Sequence, residues 1–200
     1  TMDNDLIVIG AGSGGLVAAL VAVTARAKVV LIEKGKMGGD CLNTGCIPSK
    51  TLIRSARFSA DVQRAVEFGF KPLTCSFDFT EIMARVKRVI AKIEPHDSAE
   101  RYRSLGVNVY SGTAKIISPW EILINDEIIS ARKIIIATGA QPLIPAIRGI
   151  DRVPYLTSET IWDLKALPKK LIVLGGGPIG IELAQTFARL TSDVTLIEGS

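Results

Sequence analysis

The sequence predicts an α/β protein built on a mostly parallel sheet, and three observations predict it. The apolar run at Leu6–Ile9 is continuous rather than alternating, as in a strand buried on both faces, and Leu171–Leu174 mirrors it. Each run enters a G-x-G-x-x-G cluster, then a helix-like stretch, then a second apolar run ending in an acid. Between the two copies, 107–136 carries short β-like runs separated by turn residues.

Composition narrows the possibilities. A chain of 200 residues can hold one large domain or two small ones around a real core. Its 48% hydrophobic content excludes a disordered chain. The net charge of +4 is spread over scattered basic residues and aromatics are only 6%, a poor footprint for nucleic acid. Three cysteines are too few for a secreted disulfide scaffold. Asp3 and Asp5 stand where a secretion signal carries basic residues, so a cytoplasmic location is expected. Leu6 to Ala25 is uncharged and long enough to span a membrane. Its four glycines, however, each weaken a helix by about 1 kcal/mol, and a strand, a turn and a buried helix explain the same run.

Taken in order, Leu6-Ile7-Val8-Ile9 is the first strand. In the cluster that follows, Gly10 permits the tight turn, Gly12 lets a pyrophosphate approach the backbone, and Gly15 lets helix pack on strand. Ser13 and Gly14 complete the cluster, and the helix over Leu16–Arg26 offers its N-terminal N–H groups to phosphate oxygens. Val29–Ile32 is the second strand. It ends at Glu33, 23 residues after Gly10, near the ~20 expected of the acid that binds ribose hydroxyls; Lys34 follows.

Cys41 and Cys46 lie in the stretch Gly39 to Lys50 and flank four residues. On a regular helix, residues five apart are separated by about 7.5 Å of rise. A disulfide needs Cα atoms about 4.4–6.8 Å apart, so a bridge requires a bend, which Gly45 allows. Leu52, Ile53, Ala56 and Ala60 predict a helix beginning near Cys46. A thiolate there is stabilised by the helix N-terminus, and Lys50 adds positive charge one turn on. These features favour an exchangeable redox pair. Two packed core thiols and a metal site are the other readings, the latter short of ligands because His96 is the only histidine.

Most of Thr51–Leu105 reads as helix. Thr80 caps an amphipathic helix with Ile82, Val86, Val89, Ile90 and Ile93 on one face. Cys75, in a loop-like stretch, suits packing, and His96 a helix boundary. Short strands are expected at Val107–Tyr110, Ala114–Ile117, Glu121–Ile124 and Ile128–Ile129, with a hairpin at Asn125-Asp126. Ile134–Ile136 is read as a separate buried strand entering Ala137-Thr138-Gly139. Three prolines mark Gln141–Pro154 as a crossover linker. The beginning then repeats: Gly175, Gly177, Pro178, Ile179 and Gly180 mirror the first cluster, and Glu198 mirrors Glu33, each at an offset of 165.

The run Gly38 to Lys50 resembles the active-site motif of the class I pyridine nucleotide-disulfide oxidoreductases, which include lipoamide dehydrogenase, glutathione reductase and mercuric reductase. The resemblance implies FAD on the first glycine cluster and NAD(P)H on the second. It implies that Cys46 lies over the flavin as charge-transfer thiol and that Cys41 is the outer, interchange thiol. Lys50 approaches the flavin ring and pairs with Glu182 at its nicotinamide side. Gly39 and Asp40 belong to the FAD site. Ala137-Thr138-Gly139 closes on the FAD, and the backbone of Ala114 meets its adenine end. Pro178 stands where some relatives carry a gating tyrosine. Relatives usually carry threonine at the position of Asp40, and a carboxylate there opposes ionisation of Cys41. Glu198 suits a ribose diol and repels a 2′-phosphate, so NADH is preferred.

Residues 1–150 are accordingly expected to form the first part of a Rossmann-like FAD-binding domain, a parallel sheet with helices plus a small antiparallel β-meander. Residues 151–200 begin a second Rossmann-like, NAD(P)-binding domain. The expected activity passes hydride from NAD(P)H through FAD to a Cys41–Cys46 disulfide and on to a small-molecule, disulfide or metal-ion substrate. Glu159 to Trp162, Glu182 to Leu190 and His96-Asp97-Ser98 are most similar to mercuric reductase; Ser49 and Glu198 suit lipoamide dehydrogenase. A nucleotide-binding module without turnover is the alternative of another class. Family members run to more than twice this length and are homodimers whose partner supplies a His–Glu acid–base pair. The chain is therefore expected to be the N-terminal part of a longer protein.

Overall fold

The computed structural model describes residues 2–199. In chain order the elements are β1 (Asn4–Ile9), α1 (Ser13–Thr24), β2 (Val29–Glu33), α2 (Gly39–Asn43), α3 (Cys46–Gln63), α4 (Phe79–Ile93), α5 (Ala99–Ser104), β3 (Asn108–Ser111), β4 (Lys115–Ser118), β5 (Glu121–Ile124), β6 (Glu127–Ile136), β7 (Lys170–Leu174), α6 (Pro178–Arg189) and β8 (Asp193–Ile197). Two compact units divide them. One comprises the chain up to Asn43 together with Ala91–Leu143; the other comprises Thr44–Ile90 and the chain from Ile144 onward. The first 20-residue uncharged run is split as expected into β1, a glycine turn and α1. Among the described residues no helix is long and apolar enough to cross a membrane.

The first unit is a six-stranded sheet in the order β3-β2-β1-β6-β5-β4. The β3, β2, β1 and β6 neighbours run parallel, whereas β6, β5 and β4 form an antiparallel meander. Both faces of the parallel part are covered, which is why its strands read as unbroken apolar runs. Ile7, Ile9, Val30 and Ile32 pack on one face with Ile122, Ile124 and Ile129 of the meander. Val8, Val29 and Leu31 pack on the other with Leu16 and Ala19 of α1 and with Tyr102 and Val107. The Tyr102 hydroxyl donates to the Leu16 carbonyl at 3.3 Å, and burial pushes its phenol pKa up. The hairpin turn falls at Asn125 and Asp126, with φ of 49° and 64°, the left-handed pair that a two-residue turn of the strand's own twist requires.

One strand differs from expectation. Ile128–Ile129 and Ile134–Ile136 belong to a single ten-residue strand, β6. Its first part pairs antiparallel with β5 and its second part parallel with β1. Ser130 to Lys133 contains neither glycine nor proline, so nothing in the backbone interrupts the extended conformation. The expected burial of Ile134–Ile136 is also corrected: Ile136 is 65% exposed. The register with β5 stops at Ser130, which leaves the far end of β6 with a strand on one side only among the described residues.

The second unit packs α3, α4 and α6 around one core. Leu52 and Ala56 of α3, Phe79, Met83 and Val86 of α4, and Leu183 and Phe187 of α6 supply it, joined by Ile161 and Leu190. Their spacings of three and four residues are those of single helical faces. Strands β7 and β8 pair in parallel, Leu171 opposite Val194. Helix α4 is capped one residue pair earlier than the sequence suggests. Asp78, not Thr80, is its N-cap: the Asp78 carboxylate accepts the Thr80 N–H at 2.8 Å, and its carbonyl accepts the Ile82 N–H at 3.1 Å. Aspartate is at least as good a cap as threonine, so the helix starts at the first acceptor the chain offers. Asp78→Ala is expected to cost about 1 kcal/mol and Thr80→Ala less than about 0.5 kcal/mol, read from urea unfolding midpoints.

Candidate functional site

The first glycine cluster folds into a tight β1-to-α1 turn. Gly10 sits at φ 104°, and a Cβ there would lie 2.2 Å from the Ala137 carbonyl oxygen. A Cβ on Gly15 would lie 1.8 Å from the Gly10 carbonyl oxygen, so helix and strand meet only because this position has no side chain. Gly12 is the N-cap of α1; no side chain caps the helix and no acid stands in its first turn, where Ser13 and Gly14 lie exposed. An unscreened N-terminus of this kind attracts an anion. Gly39 completes the cradle: its φ is 53°, and a Cβ there would come within 2.6 Å of the Gly12 Cα. The Gly38 N–H donates to the Ala11 carbonyl at 2.9 Å, so the segment leading to Cys41 is laid directly on the glycine turn.

Glu33, at the end of β2, accepts the Ala11 N–H at 2.6 Å through Oε2 and the Gly35 N–H at 2.7 Å through Oε1. A carboxylate has about four acceptor positions, so lone pairs remain for a ribose diol. The Ala137 N–H donates to the Ile9 carbonyl at 2.8 Å, which seats Ala137-Thr138-Gly139 beside the same turn. Gly139 has φ 69°, and a Cβ there would lie 3.8 Å from the Asp40 carboxylate. Gly10, Gly12, Gly15, Glu33, Gly39, Asp40 and the Ala137–Gly139 turn are thus gathered in one place. Lys34 follows β2 and is exposed. Ala114 is partly buried and packs against the core cluster that holds Ile7, Ile9 and Ile122.

The two cysteines lie on separate helices, since α2 ends at Asn43 and α3 begins at Cys46. Cys41 is half-buried and Cys46 exposed. The helix expected near Cys46 starts there, with Gly45 as N-cap and no capping side chain. Lys50 follows one turn on. Its ammonium donates to both Glu182 oxygens, at 2.8 and 2.7 Å. The pair is 60% and 39% exposed, and ion pairs so open to water contribute less than about 1 kcal/mol to stability. Its effect is to fix the position of the Lys50 ammonium, one helical turn along α3 from Cys46.

Two clamps around the cysteine motif were not expected. The Asn43 amide donates to the Met37 and Gly39 carbonyls at 3.0 and 2.8 Å and so closes α2 on itself. The Trp162 indole N–H donates to the Thr44 carbonyl and to the Ser158 carbonyl, both at 2.8 Å. An asparagine inside a short motif is a signal for such a backbone bridge. Nothing in the sequence pairs Trp162 with Thr44. Cys75 is half-buried in the stretch before α4, and His96 is exposed in a short 3-10 turn before α5.

The second cluster repeats the first in detail. Gly175 has φ 106°, and a Cβ on Gly180 would lie 2.0 Å from its carbonyl oxygen. Gly177 caps α6, whose first turn holds Pro178, Ile179 and no acid, again without a capping side chain. Glu198 accepts the Gly176 N–H, the counterpart of the Ala11 N–H that Glu33 accepts. In both copies the strand-end acid braces the loop.

A mostly parallel sheet with helices and two such loops define a Rossmann-like dinucleotide-binding protein. The chain belongs to the pyridine nucleotide-disulphide oxidoreductase family, which residues 4–200 match. It is 37% identical to a dihydrolipoyl dehydrogenase of Acholeplasma laidlawii, over 98% of this chain and 60% of that one. It is 34% identical to a mercuric reductase of Lysinibacillus sphaericus, over 99% of this chain and 36% of the other. Among solved structures, a copper(II) complex of the HOCl-induced flavoprotein disulfide reductase RclA from Escherichia coli superposes with a TM-score of 0.82 at 32% identity. That match covers 98% of this chain and 42% of RclA. The chain thus spans between about a third and three fifths of the lengths of these relatives.

Proposed function

We propose that this chain is the nucleotide- and disulfide-bearing part of a flavin-dependent reductase that passes two electrons from a nicotinamide dinucleotide to Cys41 and Cys46. The observation that carries the reading is the coincidence, in one chain, of two acid-braced glycine loops with a C-x4-C motif whose lysine is fixed by Glu182. Residues 1–150 would then be the first part of the FAD-binding domain and 151–200 the start of the NAD(P)-binding domain. The uncapped N-terminus of α1, and the cradle at Gly12 and Gly39 that a Cβ would fill, suit the pyrophosphate of FAD. FAD, when bound, supplies a two-electron relay between nicotinamide and disulfide.

The chain's own residues do the rest. Gly10 to Gly15 with Glu33, Lys34, Gly39 and Asp40 hold FAD, assisted by Ala114 and by Ala137 to Gly139. Gly175, Gly177, Pro178, Ile179 and Gly180 hold the nicotinamide dinucleotide, and Glu198 accepts its ribose hydroxyls. Two electrons and one proton cleave the Cys41–Cys46 bond, leaving a thiol at Cys41 and a thiolate at Cys46. The α3 N-terminus and Lys50 favour the thiolate at Cys46; Cys41 exchanges with substrate. The relatives' names favour two substrates, mercuric ion and a lipoyl disulfide, and the motifs at Glu159–Trp162 and Glu182–Leu190 favour mercuric ion. A homodimer and a cytoplasmic location complete the proposal.

Anaerobic titration with NADH tests it. The purified protein is expected to carry flavin and to develop long-wavelength charge-transfer absorbance, abolished in Cys46→Ser and kept in Cys41→Ser. NADH is expected to exceed NADPH in kcat/KM by at least about tenfold, the effect of roughly 1.4 kcal/mol of repulsion at Glu198. Protein without flavin, or flavin without the band, would reduce the chain to a nucleotide-binding module. Parallel assays with mercuric ion and with lipoamide separate the two substrates.

A further inference from the structure

We infer that Trp162 is a positioning residue for Cys46, acting through the backbone of Thr44. The inference rests on the proposed reading of Cys46 as the thiolate of the redox pair. Thr44 lies within the C-x4-C motif, two residues before Cys46. Its carbonyl accepts the Trp162 indole N–H at 2.8 Å. Gly45 follows with φ −116° and ψ −110°, outside the helical and extended regions. Its carbonyl accepts the Ser49 N–H at 3.0 Å, which starts α3. No side chain caps that helix. The indole contact is therefore a side-chain hold, from outside α3, on the turn from which the first helical N–H groups are aimed.

The anchor itself is rigid. The same N–H also meets the Ser158 carbonyl at 2.8 Å, and the ring packs against the core of the second unit. Around it, Thr157 and Thr160 lock the turn: the Thr157 carbonyl accepts the Thr160 and Ile161 N–H groups, and the Thr160 hydroxyl accepts the Thr157 N–H at 2.9 Å. Ile161, next in the chain, is buried. A helix N-terminus favours a thiolate only within its first turn, so a turn that frays loses its hold on Cys46 first. Indole is the one aromatic side chain that fills an apolar site and presents an N–H donor without an acceptor. Phenylalanine there keeps the packing and removes the hold.

The test is the pH profile of iodoacetamide alkylation in the reduced protein, with Cys41, Cys46 and Cys75 resolved by peptide mass spectrometry. Trp162→Phe is expected to slow Cys46 alkylation near neutral pH by about two- to fivefold, the range a helix N-terminus commands, and to move its profile to higher pH. Cys75 is expected to keep its rate. Trp120→Phe, at the exposed second tryptophan, is expected to change neither. Should Trp162→Phe fold poorly, benzothienylalanine incorporated in a Trp120→Phe background replaces the indole N–H by sulfur at nearly constant shape. An unchanged Cys46 profile in either form overturns the inference, as does a change that Cys75 shares. If Cys46 of the unaltered protein shows no more thiolate character than Cys75, the proposed function falls and takes this inference with it.

Discussion

Gly15→Ala is expected to destabilise the protein by about 3 kcal/mol or more, the upper end of the usual cost of overpacking. Gly14→Ala beside it is expected to be neutral or to stabilise by up to about 0.5 kcal/mol. The difference is geometric. A Cβ on Gly15 would stand 1.8 Å from the Gly10 carbonyl oxygen and 3.3 Å from Val8. The nearest obstacle is backbone, which cannot turn aside as a side chain can. A Cβ on Gly14 meets nothing within 4 Å. Urea unfolding followed by circular dichroism reads both. A Gly15→Ala protein within about 1 kcal/mol of the parent would mean that the β1–α1 turn yields, and that the close approach is not what the glycine is for.

Phe187→Ala is expected to cost about 3–5 kcal/mol. Phe187 is 1% exposed, stands in the core shared by α3, α4 and α6, and meets Phe79 at a ring-centroid distance of 6.3 Å with the planes tilted by 44°. Truncation removes a large buried ring and leaves a cavity that three helices cannot close together. The same helix carries Glu182, so loosening its core face also loosens the carboxylate that holds Lys50. Ile181→Ala, on the exposed face of α6, is expected to change stability by less than about 0.5 kcal/mol. Thermal and urea melts separate the two; a Phe187→Ala protein no less stable than Ile181→Ala would remove α6 from the core.

Most of the fold was legible because its strongest constraints are written in residue types. Only glycine tolerates φ 104° at Gly10 and 106° at Gly175, and strands covered on both faces must be apolar throughout. The repeat at an offset of 165 made the second loop as readable as the first. The candidate site was read from the same kind of signal: the acids, the cysteines and Lys50 stand in short motifs. What escaped depended on partners distant in sequence or on competition between neighbours. The continuity of β6 is decided by which strands lie beside it. The cap of α4 was settled between Asp78 and Thr80, which both qualify by type. The clamp of Trp162 on Thr44 spans 118 residues, and no local pattern announces it.

The double pairing of β6 bears on how the chain assembles. Asn4 of β1 lies opposite Ala131 of β6, so the centre of the sheet joins segments 127 positions apart, and contacts of such separation slow folding. The β5–β6 hairpin needs only its two-residue turn, and hairpins of that kind close in about 1–10 μs. One strand therefore carries both the quickest and one of the slowest steps. Its first half is zipped locally, which presets the twist and register of the remainder before β1 arrives. The meander is in this sense a jig on which the strand leading into the first glycine loop is laid.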